Sequence, residues 1–278
     1  MKVWSSYLKL CLPQYWGNVY GPMSLTKLMP IGAVLLCATM AAAQDRSISA
    51  LHVFPVIVDG RQSDGTSYRI SVVLQNSSPF SVSCFIGFQG VIPEMTAPDG
   101  TVVRSALIQQ FLPAGSFDLL RSSGAGPLAT GYSWVNCSSP ITAYTVISSY
   151  SADAAGSGSK LNSEATVNST AAATSFQFIN DQRENGQLAL SFANDQTFAT
   201  TVSVQVFDIN GRMLAIARLL VPSKTSTARF LSELIPGLPA RHIGPVRVDS
   251  ITGIYAMGLR FTGSVLTAIP PALSGFIF

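Results

Sequence analysis

Past residue 43 the chain holds few residue types that do chemistry: Cys84 and Cys137, His52 and His242, some carboxylates in turns, and the pair Tyr132 and Trp134. The cysteines lie too far apart for a zinc knuckle, and neither has a histidine or second cysteine beside it. In an exported protein an even pair points to a disulfide; two buried thiols acting as small apolar residues are the other reading. The histidines stand alone. No H-E-x-x-H, G-x-S-x-G, Walker A or G-x-G-x-x-G phrase occurs, so no catalytic residue is assigned. Asp59-Gly60 with Asp64-Gly65, and Asp208 with Asn210-Gly211, offer oxygen atoms, but none continues into a twelve-residue calcium loop. They read as turns, as do Asp181 and Glu184. No metal and no cofactor is expected.

The aromatic pair is the sharper signal. With Val135 and Cys137 inward, alternation places Tyr132 and Trp134 outward on one strand. Exposed neighbouring rings stack on a sugar face or anchor a protein contact, which makes Tyr132 and Trp134 the candidate ligand-binding residues. The competing reading has the same rings covering a sheet face beneath the joint or the neighbouring domain.

The elements that carry these residues are strands. "GYSWVNCSSPITAYTVIS" (Gly131–Ser148) and "GPVRVDSITGIYAMGLRF" (Gly244–Phe261) align without a gap. "SYRISVVLQNSS" pairs with "QLALSFANDQ", setting Asn76 on Asn194, and "SVSCFIGF" pairs with "ATTVSVQVF", setting Cys84 on Val202. Asp-Gly at 99–100 and Asn-Gly at 210–211, between alternating apolar runs, are hairpin signals. Val202, Val204 and Val206 face one way, Ser203 and Gln205 the other; Val246 and Val248 point in, Arg247 and Asp249 out. Copied onto the first repeat, this register turns Cys84 and Cys137 to the core, on strands from opposite ends of the module. A turn or two of helix is expected in Thr227–Gly237, with Phe230 and Leu234 on one face.

Composition agrees. Of 278 residues 47% are apolar and 11% charged, the balance of a packed chain. From Gln44 onward 14 Lys and Arg face 14 Asp and Glu, so no nucleic-acid footprint exists. The expected organisation is a leader over 1–43, a β-sandwich repeat over 50–150, a Ser/Ala/Gly-rich linker over 151–175 in which Glu164–Val167 can add an edge strand, a second repeat over 176–271 and an apolar tail over 272–278. In the leader Lys27 precedes a short apolar run that ends in Ala41-Ala42-Ala43, a secretory signal cut between Ala43 and Gln44, with translation starting at Met23. Cys37, preceded by Leu36, makes a poor lipidation site. The apolar run is shorter than a membrane helix needs.

The phrases "FPVIVDG", "SYRISVVLQNSS", "GYSWVNCSSPITAY" and "ARFLSELIPG" resemble uncharacterised tandem immunoglobulin-like β-sandwich repeats of secreted bacterial proteins. The likeness covers about Leu51 to Pro271. It implies an all-β fold of two tandem antiparallel immunoglobulin-like sandwiches after a cleaved signal peptide, placed extracellularly, on the cell surface or in the periplasm. It implies nothing about chemistry. Cys137 departs from the repeat, where Ser is usual. The expected function is a secreted or cell-surface, non-catalytic structural or binding protein of adhesion or matrix type, with an unknown surface protein or polysaccharide as partner, no nucleic acid and no membrane span in the mature chain. A secreted hydrolase, or the accessory part of one, and an outer-membrane barrel ending in the aromatic Phe276 and Phe278 are the alternatives.

Overall fold

The computed structural model describes residues 48–152, 159–239 and 241–273. The leader, its cleavage point, most of "GSGS" at 156–159, and Phe276 and Phe278 lie outside these. The described chain is nearly all β, in antiparallel sheets. The first half contains β1 (Ile48–Arg61), β2 (Ser67–Gln75), β3 (Val82–Gln89), β4 (Glu94–Thr96), β5 (Val102–Arg104), β6 (Leu107–Leu112), β7 (Phe117–Ser122), β8 (Ala129–Ala152) and β9 (Ser159–Asn168). The second contains β10 (Ala173–Asp181), β11 (Gln187–Asn194), β12 (Thr200–Phe207), β13 (Met213–Val221), β14 (Thr225–Phe230), helix α1 (Leu231–Leu234), β15 (Ile243–Thr262), β16 (Val265–Ile269) and β17 (Ala272–Leu273).

One long strand organises each half. Up to Thr142 β8 pairs with β1, and over Tyr132–Cys137 also with β3; from Thr142 onward it pairs with β2 and from Tyr144 with β9. Likewise β15 begins between β10 and β12 and ends between β11 and β16. A strand that changes partners along its length joins two layers, and each sheet curls around its own core. The first core holds Phe54, Ile70, Leu74, Ile86 and Val135; the second holds Phe176, Phe192, Val204, Val206 and Val248. The alternation expected for β12 is observed: Val202, Val204 and Val206 are buried while Ser203 and Gln205 are half-exposed.

The two halves share details that packing alone does not require. Asn76 Nδ2 donates to the carbonyls of Phe80, Leu112 and Pro113 at 2.7, 3.2 and 2.9 Å. Asn194 Nδ2 donates to those of Phe198, Val221 and Pro222 at 2.8, 3.1 and 3.1 Å. Both are fully buried, and each ties the end of one strand to the end of another. Gly131 and Gly244 are also matched: a Cβ on either would stand 2.1 Å from a carbonyl oxygen, of Gln89 or of Phe207. Only glycine lets the backbones approach that closely.

Three expectations need correction. Residues 159–168 form β9, a full strand against β8, so the edge strand expected over Glu164–Val167 is longer and this part of the expected linker belongs to the first sheet. The helix is a single turn, and Thr225–Phe230 extends beside β11 instead. Phe230 therefore leaves the face it was expected to share with Leu234 and packs edge-on against Phe261, ring centroids 5.4 Å apart. The third concerns the cysteines. Cys84 and Cys137 are bonded, and they sit directly opposite on adjacent strands, Cα atoms 4.0 Å apart, not at opposite ends of the module.

Candidate functional site

The halves meet along β1. Its Phe54 and Ile57 point into the first core while Val53 and Val56 point to the second half, so both faces of the strand are buried. Phe54 pairs with Ser133 and Ile57 with Gly131, so Pro55 and Val56 together oppose Tyr132 in a β-bulge. Proline lacks the N–H a regular ladder would use, and a bulge tolerates that loss. The Ser191 hydroxyl of the second half donates to the Pro55 carbonyl at 2.8 Å. On one side of this tie Val56, Ile147, Ala189, Met257 and Leu259 form an apolar cluster between the halves. On the other lie Val53, Tyr132 and Ala193, with Trp134 and Tyr255 packed against them.

Tyr132 is thus a seam residue with 0% of its surface accessible, as the reading of a ring covered by the neighbouring half has it, and not the exposed ring of the ligand-binding reading. Its hydroxyl donates to Asp195 Oδ1 at 2.8 Å, and Lys224 Nζ reaches the same oxygen at 3.0 Å. Burial, with the Asp195 carboxylate beside it, holds the Tyr132 phenol well above the usual tyrosine range. Tyr255 is raised by the same two causes. Alternation gave the side of the sheet correctly; the second half covers that side at Tyr132.

Trp134 stays partly open. It is cross-strand from Gly87, and a Cβ on Gly87 would stand 2.1 Å from the indole. The ring therefore lies over bare glycine backbone. It forms a wall of a cleft of about 310 Å³ with Leu51, Val53 and Gln89 from the first half and Asp195 and Lys224 from the second.

From Trp134 the open face of the sheet continues over β3 and β6. Register places Trp134, Gly87 and Leu107 in one cross-strand row, and Asn136, Phe85 and Gln109 in the next. The third row holds Ser83 and Phe111, with the Ser138 hydroxyl accepting from the Ser83 N–H at 3.1 Å. Phe85 is 40% exposed, Leu107 50% and Phe111 67%. Sequence reasoning missed Phe85 and Phe111, although an inward Cys84 already required an outward Phe85.

A wider groove of about 780 Å³ opens on the far side of the Pro55 tie. Val56, Val58, Tyr68, Phe230, Phe261 and Leu266 give it apolar walls, with Asp64 and Glu233 at the lining.

Both histidines are built into the framework. His52 lies within β1 and is fully buried; Nε2 donates to the carbonyls of Ser49 and Ile141 at 2.9 and 3.2 Å, which leaves Nδ1 to accept from the Ser169 hydroxyl at 3.1 Å. That serine–histidine contact has backbone carbonyls where a catalytic triad has a carboxylate. Burial lowers the His52 pKa. His242 donates from Nε2 to the Phe207 carbonyl and accepts from Asn180 Nδ2, both at 2.8 Å. Among the described residues no three His, Cys, Asp or Glu side chains stand close enough to hold a metal ion, and no helix is long and apolar enough to cross a membrane. No family model matches the chain, and no curated protein shows significant similarity to it.

Proposed function

We propose that this is an exported, non-catalytic binding protein made of two copies of one immunoglobulin-like β-sandwich, acting outside the cell or at its surface. The observation that carries the reading is the open aromatic face around Trp134, one ring of which rests on glycine and borders a cleft shared by both halves. The matched asparagine networks and the matched close approaches at Gly131 and Gly244 support duplication of one module. The disulfide fits an oxidising compartment. Cores filled with Phe, Ile, Leu and Val are the reverse of the polar lumen of a membrane barrel, which favours a sandwich that works in water. The resemblance to repeats of secreted bacterial proteins agrees with this placement.

The test is capture from a cell-surface extract and from polysaccharide resins, using the wild-type chain and Trp134→Ala. Retention by the wild type and loss with the folded variant is the expected result. Equal retention by both would end the reading. The groove lined by Asp64 and Glu233 supports a second reading, a hydrolase site between the halves. Turnover of ester, glycan or peptide substrates that survives stringent purification and is lost on replacing either carboxylate would establish it.

A further inference from the structure

We propose that the outer face of β3, β6 and β8 holds a linear, uncharged polysaccharide chain along the line Trp134–Phe85–Phe111. This rests on the binding role just proposed and names its ligand class. The three aromatic residues occupy successive strands, each displaced by one row of the register: Trp134 opposite Gly87, Phe85 opposite Asn136 and Gln109, Phe111 opposite Ser83. They form a diagonal with steps of about 7–8 Å. Such a row suits several consecutive pyranose rings and exceeds a monosaccharide. Phe85 is flanked on one side by the Asn136 amide and on the other by that of Gln109. Rings meet the C–H faces of sugars while amides and hydroxyls meet their hydroxyl groups.

Charge selects within the carbohydrates. None of the residues of these three rows is ionisable. Where the row enters the cleft, Lys224 and Asp195 pair with each other at 3.0 Å and present no net charge. β6 is the last strand of its sheet among the described residues, so the diagonal runs out at an open edge and a long chain can pass over it.

The second half shows that the fold does not impose this surface. Its register builds the same rows from β15, β12 and β13: Arg247–Gln205–Ile216, then Asp249–Ser203–Arg218. The diagonal there reads Arg247, Ser203 and Leu220, with no ring. Arg247 Nε contacts Asp249 Oδ2 at 2.9 Å, and Gln205 donates to the same carboxylate. One framework thus carries an aromatic, neutral face in one half and an ion-paired face in the other.

The experiment is a fluorescence titration of the full chain and of Trp134→Ala, whose difference isolates this indole from Trp4 and Trp16. The probes are neutral hexasaccharides of β-1,4-linked glucose, β-1,4-linked mannose, β-1,4-linked N-acetylglucosamine and α-1,4-linked glucose, with oligogalacturonate as the acidic comparison. The expected result is a saturable change in the Trp134 signal with at least one neutral chain and none with the acidic one. Phe85→Ala and Phe111→Ala should each weaken binding about tenfold, with melting temperatures held near wild type because both rings are exposed. Preference for the acidic chain, or unchanged affinity in both folded phenylalanine variants, would overturn the assignment. Trp134-dependent capture of a surface protein with no response to any hexasaccharide would overturn the glycan and leave the binding role standing. No Trp134-dependent binding of either kind would overturn both.

Discussion

Gly87 decides what Trp134 can do. The indole occupies the space in which any other residue would place its Cβ, so Gly87→Ala must push the ring off the strand. We expect a shift in Trp134 emission and loss of ligand binding, with a small change in melting temperature because Trp134 is already partly open. An unmoved emission maximum would show that the ring does not rest there. His52 gives a second prediction. Its folded pKa is lowered by burial, so below the unfolded value of about 6.5 the unfolded chain binds more protons than the native one. Stability is complete above that pH and falls as pH drops through it toward the folded value. Denaturant midpoints at pH 7.5 and 5.5 should show the loss, and His52→Gln should reduce the difference between them. At this scale the sequence revealed the side of the sheet on which each residue lies, because side chains alternate strictly along a strand. It hid whether that side meets water. Trp134 and Phe85 remain open while Tyr132, two residues from Trp134, is sealed by the second half.

Asn76 and Asn194 act at the scale of elements, each tying strand ends within its half through one amide Nδ2 placed among three carbonyls. Losing the side chain leaves buried carbonyls unpaired, which costs about 1–3 kcal/mol per site. We expect Asn76→Ala and Asn194→Ala to lower stability by similar amounts, measured by equilibrium denaturation; a large cost in one half and none in the other would argue against equivalent frameworks. The strands were legible where apolar and polar residues alternate, as in β12 and β15. Of residues 159–168 only Glu164–Val167, with its alternating Ala165 and Val167, was legible as an edge strand; the Ser, Lys and Asn before it give too few apolar positions to show a period. β14 was misread because Phe230 and Leu234 have helical spacing, whereas six backbone pairings with β11 hold Phe230 and the residues before it extended. Here the neighbouring strand overrides a local pattern.

At the scale of the molecule, two halves share an arrangement of strands and differ in one surface. The cores, the changes of partner along β8 and β15, and the close approaches at Gly131 and Gly244 belong to both halves; the aromatic row belongs to the first alone. The matched strand order was readable because aligned phrases keep their inside–outside alternation. The seam was not, since it depends on a bulge at Pro55 and on surfaces far apart in the chain. The plan's strictest feature is register: Cys84 opposes Cys137 in the first half, and at the aligned positions Val202 opposes Ser250 in the second. A slip of one residue would turn every side chain to the other face. The most direct measurement is therefore non-reducing peptide mapping of the double variant Val202→Cys, Ser250→Cys. The shared register predicts a bridge between the two introduced thiols alongside an undisturbed Cys84–Cys137 bond. Two freely alkylated thiols at 202 and 250 in a folded protein would contradict it.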